Sequence, residues 1–185
     1  MEKITEKELK ELANIYWQDY FDFSSSYEDH KRIDWLINDL KFNSVLEVGC
    51  GNGGGIEKLL KAGKKAIGLE YSEYLYKNYL YPKFRDIVVL GDVCKLPFED
   101  NSFDVICSFD VLEHLPEYKI DKAIKEIYRV TKKYFYGSIS EREDVNKKFH
   151  LTVKPYEWWL NKFLKVGFKN IKNNNISELH IYEKS

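Results

Sequence analysis

The residues best able to do chemistry gather around one glycine run, Gly49-Cys50-Gly51-Asn52-Gly53-Gly54-Gly55. It lies directly behind the apolar segment Val45-Leu46-Glu47-Val48 and ahead of Ile56, Leu59 and Leu60 at helical spacing. Glycines in such a place let the backbone turn sharply and let a ligand approach without meeting a Cβ. The helix start behind them offers unpaired N–H groups and the positive end of a dipole. Gly49, Gly51 and Gly54 also satisfy Gly-x-Gly-x-x-Gly, so a dinucleotide site has to be weighed. Three features count against it. A dinucleotide enzyme is expected to need a second half or a substrate domain, for which 185 residues leave little room. Two helical segments precede the glycine strand. Glu47 stands two residues before Gly49, where a carboxylate repels a pyrophosphate but suits the ammonium of an amino acid. That charge favours an adenosyl amino acid.

The elements that must position these residues follow from periodicity. Thr5-x-x-Glu8 predicts a capping box, with Leu9, Leu12, Ala13, Tyr16 and Tyr20 at helical spacing behind it; Ile33, Leu36, Ile37 and Leu40 predict a second helix. Strands are expected at 44–49, 66–70, 87–90, 103–108 and 134–139. Helices are expected after the glycine run (closed by Gly63), from Ser72 to before Pro82, and through Ile120, Ala123, Ile124, Ile127 and Tyr128. Near-continuous apolar strands with intervening helices indicate a parallel sheet covered on both faces. After a polar loop at 140–154, Pro155 at the N1 position opens a helix with Trp159, Phe163 and Val166. Segments 168–172 and 178–183 are joined by an Asn-rich stretch too short for a crossover helix, which predicts an antiparallel hairpin at the sheet edge. The expected fold is therefore α/β: a doubly wound, mostly parallel seven-stranded sheet with a C-terminal antiparallel hairpin and helices on both faces. No repeat, low-complexity tract or linker marks a boundary. The expectation is one domain over 1–185, with a helical cap at 1–43, a cofactor-binding core at 44–139, and an acceptor-side loop, helix and edge hairpin at 140–185.

Bulk properties narrow the partners. Twenty-nine basic and 30 acidic residues give a net charge of -1, which carries no electrostatic footprint for nucleic acid. Lys132-Lys133 and Lys147-Lys148 read as solvated surface. Cys50, Cys94 and Cys107 show no CxxC spacing or paired histidine, so no metal site is expected, and the scattered set fits a reducing compartment. The N-terminus is charged, and no apolar run approaches the ~20 residues that span a bilayer. A cytoplasmic protein without membrane or nucleic-acid partners is expected. The 14 Tyr and 4 Trp are mostly core material, although aromatic excess near a cleft serves flat or cationic ligands.

Val45-Leu46-Glu47-Val48-Gly49-Cys50-Gly51-Asn52-Gly53 resembles the first motif of class I S-adenosylmethionine (SAM)-dependent methyltransferases, and Gly68-Leu69-Glu70-Tyr71-Ser72 resembles their second. Gly91-Asp92-Val93 with Leu96-Pro97-Phe98, then Ser102-Phe103-Asp104-Val105-Ile106, resemble the third and fourth. Val111-Leu112-Glu113-His114-Leu115 resembles the helix that follows. The ordered set runs from about 35 to 130 and is far more specific than any member. The resemblance implies SAM as cofactor, S-adenosylhomocysteine (SAH) as product, and a ligand at the switch point between the first and fourth strands.

It also implies roles. Glu47, Gly49, Cys50 and Gly51 would hold the amino-acid end of the cofactor. Glu70 would accept both ribose hydroxyls from a strand end outside the core. Tyr71 would lie on an adenine face, Asp92 would accept the adenine amino hydrogen, and the Val93 N–H would reach a ring nitrogen. Phe109 and Asp110 would lie beside the methionine part, and Trp17, in Tyr16-Trp17-x-x-Tyr20-Phe21, would cover the same end. Each has a plainer reading too: Glu70 as a surface or capping acid, Asp92 as turn chemistry, Trp17 as one ring of a packed helix.

The sulfonium of such a cofactor already activates its methyl group, so transfer needs chiefly an aligned nucleophile. A hydroxyl or ammonium acceptor must also lose a proton. Asp110, Glu113, His114 and His150 are the candidate bases; His114 sits on an apolar helix, where histidines are often structural, and His150 in the polar 140–154 loop, a candidate lid. Where relatives commonly have Arg-Val-Leu-Lys-Pro-Gly-Gly, this chain has Arg129-Val130-Thr131-Lys132-Lys133-Tyr134, which puts the shape of that turn in doubt. No substrate insertion is recognisable. A small-molecule acceptor is expected, with a protein side chain as the alternative. Ser108-Phe109-Asp110-Val111 lacks the Asn/Asp-Pro-Pro-aromatic motif of enzymes acting on nucleic-acid amines, and a SAM-binding regulator without chemistry is the reading from outside enzymology.

Overall fold

Alternation along the central strands sorts the apolar side chains between two cores. In the computed structural model, which describes residues 3–20, 26–144, 148–171 and 179–185, β1 (Ser44–Val48) sends Val45 to one face of the sheet and Leu46 and Val48 to the other. On the first face Val45, Val105, Cys107 and Tyr136 share a core with Ile33 and Leu36 of α2 (Ser26–Asp39) and Ile56 and Leu59 of α3 (Gly54–Lys61). On the second, Leu46, Ile106 and Phe135 lie with the apolar stripe Ile120, Ala123, Ile124 and Ile127 of α5 (Glu117–Val130), and with Trp159 and Phe163 of α6 (Tyr156–Lys165). Strands buried on both faces are mostly apolar; β4 (Phe103–Phe109) is buried throughout, with Asp104 and Ser108 its polar residues.

The remaining strands are β2 (Lys65–Glu70), β3 (Val88–Leu90), β5 (Thr131–Ser138), β6 (Phe168–Asn170) and β7 (Leu179–Lys184); α1 (Glu6–Ile15) and α4 (Glu73–Asn78) complete the helices discussed below. The sheet order is β3-β2-β1-β4-β5-β7-β6. The first five are parallel, and β7 runs antiparallel to both β5 and β6. This is the expected seven-stranded, doubly wound sheet, with strand order reversing between β1 and β4. Such a reversal opens a crevice at the carboxyl ends of the strands.

Local signals hold with small displacements. Thr5 and Glu8 form the capping box that starts α1, and a π-helical turn, Tyr16–Tyr20, follows that helix. Gly63 takes φ +74 just past α3. Pro155 is the N-cap of α6, one position earlier than expected. β5 begins at Thr131, three residues before the predicted start and with no turn after α5, because the Thr131 hydroxyl donates to the Ile127 carbonyl at 2.6 Å and closes the helix directly into the strand. The Asn-rich connection of the hairpin, Phe21 and Lys147 fall outside the described residues. Among the described residues no helix is long and apolar enough to cross a membrane.

Gly137 sets the approach of β4 and β5 near the crevice. A Cβ there would stand 2.3 Å from the Ser108 carbonyl oxygen and 2.9 Å from the Phe135 ring. Alanine usually gains about 0.5–1 kcal/mol over glycine in a strand, whereas overpacking against fixed backbone costs about 1–3 kcal/mol. Gly137→Ala is therefore expected to lower the urea unfolding midpoint; an unchanged or raised midpoint would show that the two strands have slack.

Candidate active site

The glycine loop is built by one buried acid. Gly49, Gly51 and Gly53 all adopt left-handed φ, at +73, +55 and +90. The N–H groups of Gly49 and Cys50 donate to the Leu69 carbonyl at 2.8 and 3.1 Å. Gly51 N–H donates to one carboxylate oxygen of Glu70 at 3.0 Å, while Tyr71 and Ser72 N–H donate to the other at 2.9 and 2.8 Å. Glu70 is only 4% exposed, so it belongs to the interior and not, as expected, to a strand end outside the core. Burial raises its pKa, and the three N–H donors pull the other way. A side chain on Gly49 would meet a Val111 methyl at 2.3 Å, in addition to the strain of its positive φ.

The loop forms one wall of a cleft of about 420 Å³ at the carboxyl ends of β1, β2 and β4. Leu9, Leu12 and Ala13 of α1, with Tyr16 and Trp17 just beyond, roof it. Trp17, Glu47, Gly49, Cys50, Gly51, Glu70, Tyr71, Asp92, Val93 and Phe109, the residues expected to hold the cofactor, all line this one cleft. Glu47 is buried at its floor against Gly55. The Tyr71 hydroxyl is buried with no hydrogen-bond partner among the described residues, and burial pushes its pKa up to about 12. Asp92 is both a cleft residue and a turn residue: one oxygen accepts the Cys94 N–H at 2.8 Å, the other lies 3.2 Å from the Lys119 ammonium. Burial lifts the Cys50 thiol well above its usual range, so the residue lines the cleft as a small apolar group.

The far end of the cleft holds Arg32, Phe109, Asp110, Val111, His114 and Phe149. Asp110 adopts φ +52, a rare conformation for a side chain other than glycine. Its carboxylate pairs with the Arg32 guanidinium and accepts the Ser138 hydroxyl at 2.7 Å. His114 lies in the cleft wall with Nδ1 3.1 Å from the Phe149 carbonyl, so that nitrogen carries the proton and donates. Burial, helped by His150, lowers its pKa to about 4. His150 is not a lining residue: its ring stands 5.0 Å from that of His114, and its Nδ1 donates to the Arg142 carbonyl at 2.6 Å. Glu113 is fully buried and accepts the Ser140 N–H at 2.9 Å; burial and the nearby charge of Asp110 raise its pKa well above the carboxylate range. Of the four candidate bases, the structure thus brings Asp110 and His114 to the cleft and sets His150 and Glu113 behind it.

Arg32, Phe149, Ser138 and Lys119 have no distinguishing sequence signal. Arg32 is one of several charged residues on an amphipathic helix. Phe149 is adjacent to His150 in sequence, but the loop turns Phe149 inward because Asp144 accepts the N–H groups of residues 148–150 on one side. Among the described residues no group of three or more His, Cys, Asp or Glu could hold a metal ion.

A doubly wound sheet with an acid-pinned glycine loop and an acid near the carboxyl end of each of β1 to β4 defines a Rossmann-like α/β architecture with its crevice at the strand-order reversal. Comparison with known proteins makes the class specific. The sequence profile of a family described as a methyltransferase domain matches residues 46–134. The sequence is 30% identical over 141 residues to 24-methylenesterol C-methyltransferase 2 of Arabidopsis thaliana, covering 65% of this chain and 38% of that one. A protein of Pyrococcus horikoshii OT3 superposes with TM-score 0.72 at 19% identity, over 92% of this chain and 96% of that one. Magnesium protoporphyrin IX methyltransferase of Synechocystis, solved with bound SAH, superposes with TM-score 0.69 at 17% identity, over 97% and 95%. Residues 46–134 thus match a methyltransferase domain, and the chain has the class I, Rossmann-like fold of the SAM-dependent methyltransferases among its structural neighbours. It spans well under half the length of the curated relatives that it matches first.

The histidine burial has a measurable consequence. His114 and His180 both have pKa values near 4, lowered mainly by burial, so between about pH 4 and 6.5 they are neutral when folded and charged when unfolded. The unfolded chain then binds more protons, and stability falls as pH drops through that window, by about 1.4 kcal/mol per unit for each ring. Urea titrations at pH 7, 5.5 and 4.5 are expected to show His114→Gln with a shallower loss than the parent; an identical slope would mean that His114 titrates normally.

Proposed function

We propose that this chain transfers a methyl group from SAM to an oxygen or nitrogen of a small-molecule acceptor. The observation that carries the reading is the convergence of the acid-pinned glycine loop, Glu47, Tyr71 and Asp92 on one roofed cleft whose other end presents Asp110. Its volume suits a single nucleoside-sized ligand. The buried Tyr71 hydroxyl is a polar atom that a ligand can satisfy, which supports the fit. Glu47 would face the ammonium group, Glu70 the ribose, Asp92 and Val93 the adenine. When bound, SAM supplies an activated methyl carbon with a neutral thioether as leaving group.

The chain's own residues then have two tasks. Aromatic side chains of Tyr16, Trp17, Phe109 and Phe149 exclude water and align the acceptor. Asp110, held by Arg32 and Ser138, takes the proton that an oxygen or nitrogen nucleophile releases. Neutral His114 forms the wall beside it. The enclosing roof favours an acceptor small enough to enter the cleft. Proteins named for sterol and porphyrin methyl transfer support a small-molecule acceptor, although the sterol enzyme is named for transfer to carbon.

Cofactor choice is tested by thermal shift. SAM and SAH are expected to raise the unfolding temperature, and NAD is not; a ligand at a hundredfold excess over its Kd stabilises by about 2.7 kcal/mol. A larger shift with NAD would overturn the assignment. A labelled methyl donor in extract, split into small-molecule and macromolecular fractions, separates the acceptor classes.

The base is tested by substitution. Asp110→Asn is expected to leave SAH affinity within about threefold and to lower turnover by roughly 10²–10⁴-fold. His150→Gln, behind the wall, is expected to keep most of the turnover. The reverse order of effects would return the role to His150.

A further inference from the structure

Lys119 stands outside the chemistry described so far, yet its side chain is only 8% exposed. A buried ammonium is costly unless paired. Here burial lowers its pKa, and the pairing with Glu6 and Asp92 outweighs that, so the group stays charged. The Nζ atom lies 2.8 Å from the carboxylate of Glu6 and 3.2 Å from that of Asp92. These acids belong to different parts of the protein. Glu6 opens α1, the helix that roofs the cleft, whereas Asp92 lines the cleft itself.

The opposite end of α1 is tied differently. The Asn14 carbonyl oxygen accepts the Ser72 hydroxyl at 2.8 Å and the Tyr74 N–H at 3.2 Å. Ser72 is also one of the residues whose N–H holds Glu70. That end of the roof is therefore anchored to the glycine-loop framework. The Glu6 end is held by Lys119 and by the neighbouring Tyr118 hydroxyl, which donates to the Ile4 carbonyl. Each end of α1 thus has two hydrogen-bonding ties, but only the Glu6 end is tied, through Lys119, to Asp92 in the cleft, so that is the end whose fastening bears on ligand passage beneath the helix.

We propose that Lys119 is the latch of the roof: by gripping Glu6 and Asp92 together it keeps α1 closed over the cleft and sets the rate at which the adenosyl ligand enters and leaves. The inference rests on the SAM reading for the identity of that ligand. Lys119 is a positioning residue, acting through α1 and Asp92.

Glu6 is not a cleft residue, and its side chain is 65% exposed, so its removal weakens the latch without touching the ligand site. An ion pair of this kind is worth about a three- to tenfold change in a rate. Stopped-flow fluorescence, with Trp17 in the cleft as reporter, is to be run with SAH on the intact protein. Glu6→Gln is expected to raise both association and dissociation rates by roughly three- to tenfold while Kd stays within about threefold. Lys119→Met is expected to add a loss of affinity, because Asp92 loses its partner. Hydrogen exchange without SAH is expected to be faster at 6–15 in both variants. Thr5→Ala frays the same helix but leaves the ion pairs. If it accelerates SAH exchange as much as Glu6→Gln, or if Glu6→Gln keeps parental rates and protection, the latch is overturned. Failure of the parent to bind SAH would instead overturn the function proposed above, and hydrogen exchange would still decide whether α1 is latched.

Discussion

Everything around the cleft depends on the Glu70 carboxylate. Its two oxygens collect the N–H groups of Gly51, Tyr71 and Ser72, and so fasten the loop after β1 to the turn after β2. The Leu69 carbonyl holds the start of the loop through the Gly49 and Cys50 N–H groups, and the acid holds its middle through Gly51. The cost of burying a carboxylate is offset in part by three aligned backbone donors, each stronger for meeting a charge. The same acid fixes Ser72, the N-cap of α4 and the anchor of Asn14. Loop, helix start and roof are thereby set from one side chain.

That arrangement is one instance of a pattern. Glu47, Glu70, Asp92 and Asp110 stand at or just beyond the carboxyl ends of β1 to β4, and all four line the cleft. Asp92 is fixed by the Cys94 N–H and Lys119, and Asp110 by Arg32 and Ser138. Side chains held in this way need little reorganisation when a ligand arrives, which is how a preformed polar site gains affinity. In the ligand proposed for the cleft these acids meet different groups: Glu47 the ammonium, Glu70 the ribose hydroxyls and Asp92 the adenine amine.

The sheet and the cofactor-side residues were legible in the sequence because each rests on a local signal. Apolar strands of period two, a glycine run at a strand end and an acid closing the next strand are written within a few consecutive residues. What was not legible depends on long-range packing. Arg32 reaches Asp110 across 78 positions and Lys119 reaches Glu6 across 113. Burial of Glu70 inverts the view of it as a strand-end acid outside the core. The sequence favoured His150 over His114 as the base, whereas the structure puts His114 in the cleft wall and His150 behind it, an order that follows from how Asp144 folds residues 148–150 and turns Phe149 inward. The early start of β5 was hidden for a different reason: Lys132 and Lys133 look like a solvated turn, yet an exposed pair at the start of a strand has the same composition.

The order of strands at the far side of the sheet separates the order of synthesis from the order of assembly. β6 precedes β7 along the chain but touches the sheet only through it, since β7 pairs with β5 on one side and with β6 on the other. Until residues 179–184 have been made, residues 168–170 have no ladder to join, and the polar edge of β5 is open. A nascent chain emerging N-terminus first therefore carries an unfinished sheet with one long exposed edge, the feature that invites pairing with other chains. Closure of that edge requires β7, which caps β5 and supplies the ladder for β6.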